Sequence, residues 1–140
     1  MPGLSAVERI TYATDTDTAS IRGPLSVGRR TGLGATGNTT NAWFGGGSGL
    51  PDGRTSIVDR ITFATDTATA SVRGPLSSAS AYMAAAGNST DGWWAGGRRG
   101  GPSYTSTVER ITYATDTAAT STRGPLSLVR NALVAAGGIQ

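Results

Sequence analysis

From Val7 to Thr14 the side chains alternate in character. Glu8, Ile10 and Tyr12 fall on one face of an extended chain, and Val7, Arg9, Thr11 and Ala13 on the other. Period-two patterning with β-branched and aromatic residues predicts a strand. Thr14-Asp15-Thr16-Asp17-Thr18 follows, a run of short polar side chains that bond nearby backbone and favour a turn. Ala19 to Arg22 predicts a second strand, ended by Gly23-Pro24, and the pair is expected to form an antiparallel hairpin. Leu25 to Arg30 leads back toward the core. Thr31 to Gly37 predicts a third strand of small residues, suited to a crowded inner position. Gly37-Asn38 signals a turn, and Asn41-Ala42-Trp43-Phe44 a fourth strand that stops at Gly45-Gly46-Gly47.

The whole pattern then returns. The segment Arg-Ile-Thr-Tyr/Phe-Ala-Thr-Asp-Thr starts at Arg9, Arg60 and Arg110, and Arg-Gly-Pro-Leu-Ser starts at Arg22, Arg73 and Arg123. A period of roughly 50 residues marks a chain of stacked supersecondary units. Four short strands per period is the spacing of a propeller blade. The expected divisions are an outer hairpin over 1–26, repeats over 27–77 and 78–127, and a terminal inner strand over 128–140, centred on Leu133 to Gly137.

These residues resemble the kelch repeat over nearly the whole chain. The glycine doublets are Gly45-Gly46 and Gly96-Gly97, and the aromatic position is Tyr12, Phe63 and Tyr113. Asp15, Asp66 and Asp116 match the turn, and Pro24-Leu25, Pro75-Leu76 and Pro125-Leu126 the lead-in, with Arg29 or Arg30 and Arg130 after it. The sequence departs from the family in two ways. Ile21, Val72 and Thr122 stand where the family carries an outer-strand Trp, and Ser80 where it carries Arg, and both changes are expected to weaken packing between blades. The resemblance implies an all-β fold of about three four-stranded blades. Rings of this kind close with roughly four to eight blades, so completion by self-association is expected, since open stacks expose strand edges. A β-trefoil is the alternative, although its central layers need larger apolar residues than these Ala-rich strands offer.

Composition narrows the chemistry. The 140 residues contain no Cys and no His, which removes disulfides, the usual zinc sites and every nucleophile–histidine arrangement. All 12 cationic side chains are Arg, spread through the repeats at a net charge of +3. The adjacent pairs Glu8-Arg9, Asp59-Arg60 and Glu109-Arg110 suggest structural charge pairing, not a nucleic-acid footprint. No apolar run approaches a membrane span, and no signal peptide is expected, since the first repeat is under way by Val7.

Several motifs have plain structural readings. Gly32-Leu33-Gly34-Ala35-Thr36-Gly37 matches the dinucleotide fingerprint, but no helix pattern follows it, so no cofactor is expected. Thr14-Asp15-Thr16-Asp17 opens like a calcium loop, but lacks a closing glutamate, so no metal is expected. Asn38-Thr39-Thr40 and Asn88-Ser89-Thr90 are glycosylation acceptor patterns at equivalent turns, where Asn also suits left-handed backbone. Trp43-Phe44 and Trp93-Trp94 must point their members to opposite sides of a strand. An exposed Trp beside Arg would make a sugar or partner platform; burial of the rings between blades is the competing reading. The segments Ser48 to Ser56 and Arg98 to Ser106 differ most between copies. Loops of that kind tend to carry binding residues, which adds Arg54, Arg98, Arg99 and Tyr104 to Trp43, Trp93 and Trp94 as candidate ligand or partner contacts.

No catalytic constellation stands out. The expectation is a non-enzymatic, self-assembling structural or adhesive protein, such as a virion fibre, decoration or filament-coat component that contacts glycans. It would be made in the cytoplasm and be virion-associated, or extracellular after release. The alternative is an intracellular module that holds a protein partner.

Overall fold

The computed structural model describes residues 4–49, 53–100 and 102–137. The fold is all-β, built from antiparallel sheets. In chain order the strands are β1 (Val7–Arg9), β2 (Ser20–Arg22), β3 (Gly34–Gly37), β4 (Asn41–Gly45), β5 (Val58–Thr62), β6 (Ser71–Arg73), β7 (Ser80–Ala81), β8 (Ala84–Gly87), β9 (Asp91–Ala95), β10 (Arg98–Arg99), β11 (Val108–Thr112) and β12 (Ser121–Arg123). β1 and β2 make the hairpin expected at the start. β3-β4-β5-β6 and β8-β9-β11-β12 are two four-stranded meanders, and β7 pairs with β10 between them. No helix among the described residues is long and apolar enough to cross a membrane.

β5 and β11 run directly into single 3-10 turns at Phe63–Thr65 and Tyr113–Thr115, and β1 reaches its own at Tyr12–Thr14 after Ile10 and Thr11. The alternation read across Val7 to Thr14 therefore spans a strand and a turn. The aromatic residue opens the turn instead of continuing the ladder. Leu133 to Gly137 is not a strand, contrary to expectation. A strand needs a hydrogen-bonded partner, and no described strand pairs with this segment, although Gly137 approaches Gly87 of β8 closely.

The core lies between the sheets. Trp43, Val58, Leu76, Met83, Trp94, Ile111 and Tyr113 form one buried cluster joining the two meanders. Leu25, Ile61 and Ala70, flanked by Val7 and Phe44, form a second that joins the hairpin to the first meander. Both faces of β5 are thus in use: neighbouring Val58 and Asp59 are each wholly buried.

The glycine clusters serve this packing. Gly46 and Gly47 have φ of 65° and 98°, and Gly96 and Gly97 repeat the conformation at 65° and 94°, a backbone region costly for side chains. Gly45 serves space instead: a Cβ there would lie 2.7 Å from Trp94 Cε2 of the next sheet. Gly45→Ala should overpack this joint and cost about 1–3 kcal/mol, seen as a lower urea midpoint with the slope unchanged.

Candidate functional site

The two most repeated sequence motifs are the two halves of one contact. At the joint between the meanders, the Asp116 carboxylate is held by side chains of the preceding unit. Arg60 Nη1 donates to Asp116 Oδ2 at 3.0 Å and Trp43 Nε1 at 2.9 Å, with Arg73 Nε at 3.5 Å. The backbone joins in: Gly74 N donates to the Asp116 carbonyl at 2.8 Å, and Thr120 N to the Pro75 carbonyl at 3.0 Å. The Arg73-Gly74-Pro75 corner therefore grips residues 116–120. A Cβ on Gly74 would collide with the Ala118 carbonyl, so this close approach requires glycine.

The joint between hairpin and first meander repeats this. Arg9 Nη1 reaches Asp66 Oδ2 at 2.6 Å and Arg22 Nε at 3.4 Å. Gly23 N donates to the Asp66 carbonyl at 2.7 Å, and Ala70 N to the Pro24 carbonyl at 2.8 Å. The second joint adds an aromatic stack, Trp43 on Tyr113, with ring centroids 3.9 Å apart and planes within 8°. Phe63 occupies the Tyr113 position at the first joint and stays 41% exposed.

A second set of carboxylates pins the segments that cross between units. Asp59 receives Arg29 Nη2 at 2.8 Å, with both side chains fully buried, and the Ser26 amide at 3.3 Å. Glu109, the equivalent residue, receives the Ser77 amide and Arg99 Nη2 at 2.6 Å each, and Thr120 Oγ1 at 2.8 Å. Ser80 stands at the Arg29 position and cannot reach Glu109 as Arg29 reaches Asp59. Arg99 supplies the missing guanidinium from β10, and Glu carries the longer side chain. The expected weakening at Ser80 is thus offset from another strand.

The adjacent Asp-Arg and Glu-Arg pairs do not bond to one another, because strand neighbours face opposite sides. Asp59 turns to Arg29 while Arg60 turns to Asp116. Burial pulls the Arg29 guanidinium below its ordinary pKa, opposed by the charge of Asp59. Hydrogen bonds from Thr112 and then Thr90, with the charges of Arg110 and Arg123, hold Asp91 below the usual carboxylate range against some desolvation. Burial raises the Tyr113 phenol, reinforced by Asp91 and opposed by a 2.9 Å hydrogen bond with Thr36.

Of the candidate contacts, Trp43 and Trp94 are 1% exposed. Their indole N–H groups are used inside the fold, by Asp116 and by the Gly34 carbonyl at 3.0 Å. Their rings thus serve packing between sheets, and ligand contact would require opening the core. Trp93 is half-buried and sits opposite Arg110 in the β9–β11 pair. Arg54 bridges to Ser48, and Arg98 to Tyr104, whose ring is half exposed. The variable segments also tie into the crossing segments, the Thr55 carbonyl accepting from the Ser80 amide at 3.1 Å and the Ser106 carbonyl from the Leu126 amide at 2.7 Å, and Arg99 serves Glu109. Residues 50–52 and 101 of these loops lie outside the described residues, as do 138–140 of the last expected segment.

The remaining motifs take structural roles. The glycine-rich run Gly32 to Gly37 enters β3, followed by a turn and a strand. Asn38 and Asn88 do not adopt left-handed backbone. Each side-chain oxygen instead caps its turn, Asn38 Oδ1 accepting from the Thr40 and Asn41 amides at 3.0 and 2.9 Å, and Asn88 Oδ1 from Thr90 and Asp91, both at 2.8 Å. No group of three or more metal-ligating side chains occurs among the described residues.

No family model and no curated protein matches the chain. Among solved structures, it is similar to that of YjhT, with a TM-score of 0.74 at 17% identity over 94% of this chain. The match spans 42% of the YjhT chain. At this identity the likeness speaks to the fold alone.

Arg99→Ala should strand the buried Glu109 carboxylate and cost about 3 kcal/mol, and adding Ser80→Arg should recover most of it in urea melts. Tyr113 gives a pH signature. Its raised folded value leaves stability intact below the ordinary phenol pKa of about 10 and erodes it as pH climbs through the folded value. The melting temperature should hold up to about pH 10 and fall as the pH rises beyond it, and Tyr113→Phe should flatten that decline.

Proposed function

We propose that this chain is a kelch-like repeat protein whose role is structural or adhesive: a non-enzymatic assembly component of the virion-fibre, decoration or filament-coat kind. The observation that carries the reading is the commitment of its buried acids. Asp59, Asp66, Glu109 and Asp116 are each engaged by arginine, and each bond either fastens one unit to the next or pins a crossing segment. Carboxylates used in this way serve cohesion. A glycosidase, by contrast, needs two of them facing each other across a substrate cleft.

The fold-level likeness to YjhT covers 94% of this chain, and this chain spans less than half of that longer protein. A ring needs more blade-type units than the repeats read in these 140 residues, and in this reading further copies of the chain supply the remainder. Glycan contact would fall to the half-exposed Tyr104 and its bridge partner Arg98, with Arg54 on the neighbouring variable loop. Those same loops support the second reading, a protein-binding module, because they are the segments that differ most between the repeats.

Light scattering on the purified chain separates the two. The assembly reading expects particles heavier than the 14.1 kDa chain, and glycan-array binding that weakens when Tyr104→Ala is introduced. A 14.1 kDa species that binds no glycan and captures one defined protein would replace it with the second reading.

A further inference from the structure

Resting on that assembly reading, we infer that the two end faces of the molecule are the two halves of one further joint. A second copy of this chain docks head to tail, with its Tyr12–Asp15 turn seated on Trp93, Arg110 and Arg123 of the first. The internal repeats supply the template, since the same contact occurs twice within the chain and each end presents one half of it.

The head is bare where its internal equivalents are covered. Ile10 is 55% exposed, against 5% for Ile61 and 2% for Ile111. Tyr12 is 93% exposed, against 41% for Phe63 and 8% for Tyr113, which stacks on Trp43. Glu8 and Asp15 are exposed, while Asp59, Glu109, Asp66 and Asp116 are buried. Two acids and an isoleucine that both internal copies enclose thus stand in solvent, beside an aromatic ring more exposed than either of its counterparts.

The tail carries the complementary set. Arg110 and Arg123 hold the positions of Arg60 and Arg73, and Trp93 that of Trp43. Gly124 holds the position of Gly23 and Gly74, with an amide placed to donate to the Asp15 carbonyl. Arg130 holds the Arg29 position and would meet Glu8, and Leu126, equivalent to buried Leu25 and Leu76, would cover Ile10. Asp91 is the acidic group on this face, 3.5 Å from Arg110. It offsets part of the charge of Arg110 and, less, of Arg123, and both Arg123 and Arg130 stand exposed. An acidic head bearing Glu8, Asp15 and Asp17 therefore faces a basic tail of matching register, and heterologous contacts of this kind build rings or filaments.

Gly124 allows a test that leaves the single molecule intact. In this chain nothing lies within 4 Å of a Cβ placed there, yet at Gly23 and Gly74 the same atom would strike the docked turn, at the carbonyls of Ala68 and Ala118. Gly124→Val should therefore fold normally and block only the tail, as exposed Asp15→Arg should block only the head. By light scattering, the unmodified chain should gain mass with concentration. Each variant alone should stay at 14.1 kDa with an unchanged urea midpoint, and an equimolar mixture should form dimers and nothing larger. Variants that assemble like the parent, or a mixture that stays monomeric, would overturn this joint while leaving self-assembly standing. A parent chain that remains at 14.1 kDa at every concentration would overturn both, and would leave the tail for a unit of different sequence.

Discussion

A carboxylate at the tip of each internal Thr-Asp-Thr turn is gripped by guanidinium groups of the unit before it, and the rest of the architecture is organised around that grip. Short strands of Ala, Gly and Thr bury little apolar surface on their own account. The meanders cohere because the turn of one unit enters the Arg-Gly-Pro corner of its predecessor, where charge, backbone amide and carbonyl bonds converge. Two guanidinium groups converge on one carboxylate oxygen at each joint. The planar donor fork of arginine suits such crowding better than the point charge of lysine, which gives a physical reason for a chain whose cations are all Arg.

The aromatic residues act as wedges within the same arrangement. Trp94 fills the space that Gly34 and Gly45 leave open on the preceding sheet and spends its N–H on the Gly34 carbonyl. Trp43 does double duty, stacking on Tyr113 and donating to Asp116. Buried indoles need such partners. Their placement shows why adjacent aromatic residues on one strand divide so sharply: Trp94 and Trp43 go into the core, while Trp93 and Phe44 remain partly open.

Much of this was legible from side-chain order alone. The strands, the hairpins, the Asp turns and the division of each aromatic pair between two faces follow from period-two patterning and short polar runs. The partners of the charges did not. Arg60 beside Asp59 reads as a pair along the sequence, yet a pleated strand sends them to different neighbours. Arg99 read as a variable-loop contact, because nothing local shows that Ser80 leaves Glu109 without its arginine. The Asn turns were recognised, but for the wrong reason, since the cap comes from the side-chain oxygen and not from left-handed backbone. The segment at Leu133 has the composition of a strand, but it lies near β8 without pairing to it.

The replacement of Arg29 by Arg99 has a wider consequence for how such molecules diverge. A long, multiply jointed cation can satisfy the same buried acid from a different peptide segment, so a copy is free to lose its signature residue once a substitute has arrived. Periodicity then survives in three dimensions after it has faded from the text of the gene. Counting modules by matching letters will miss the most drifted ones, whereas asking which acid lacks a cation, and what else could reach it, will find them.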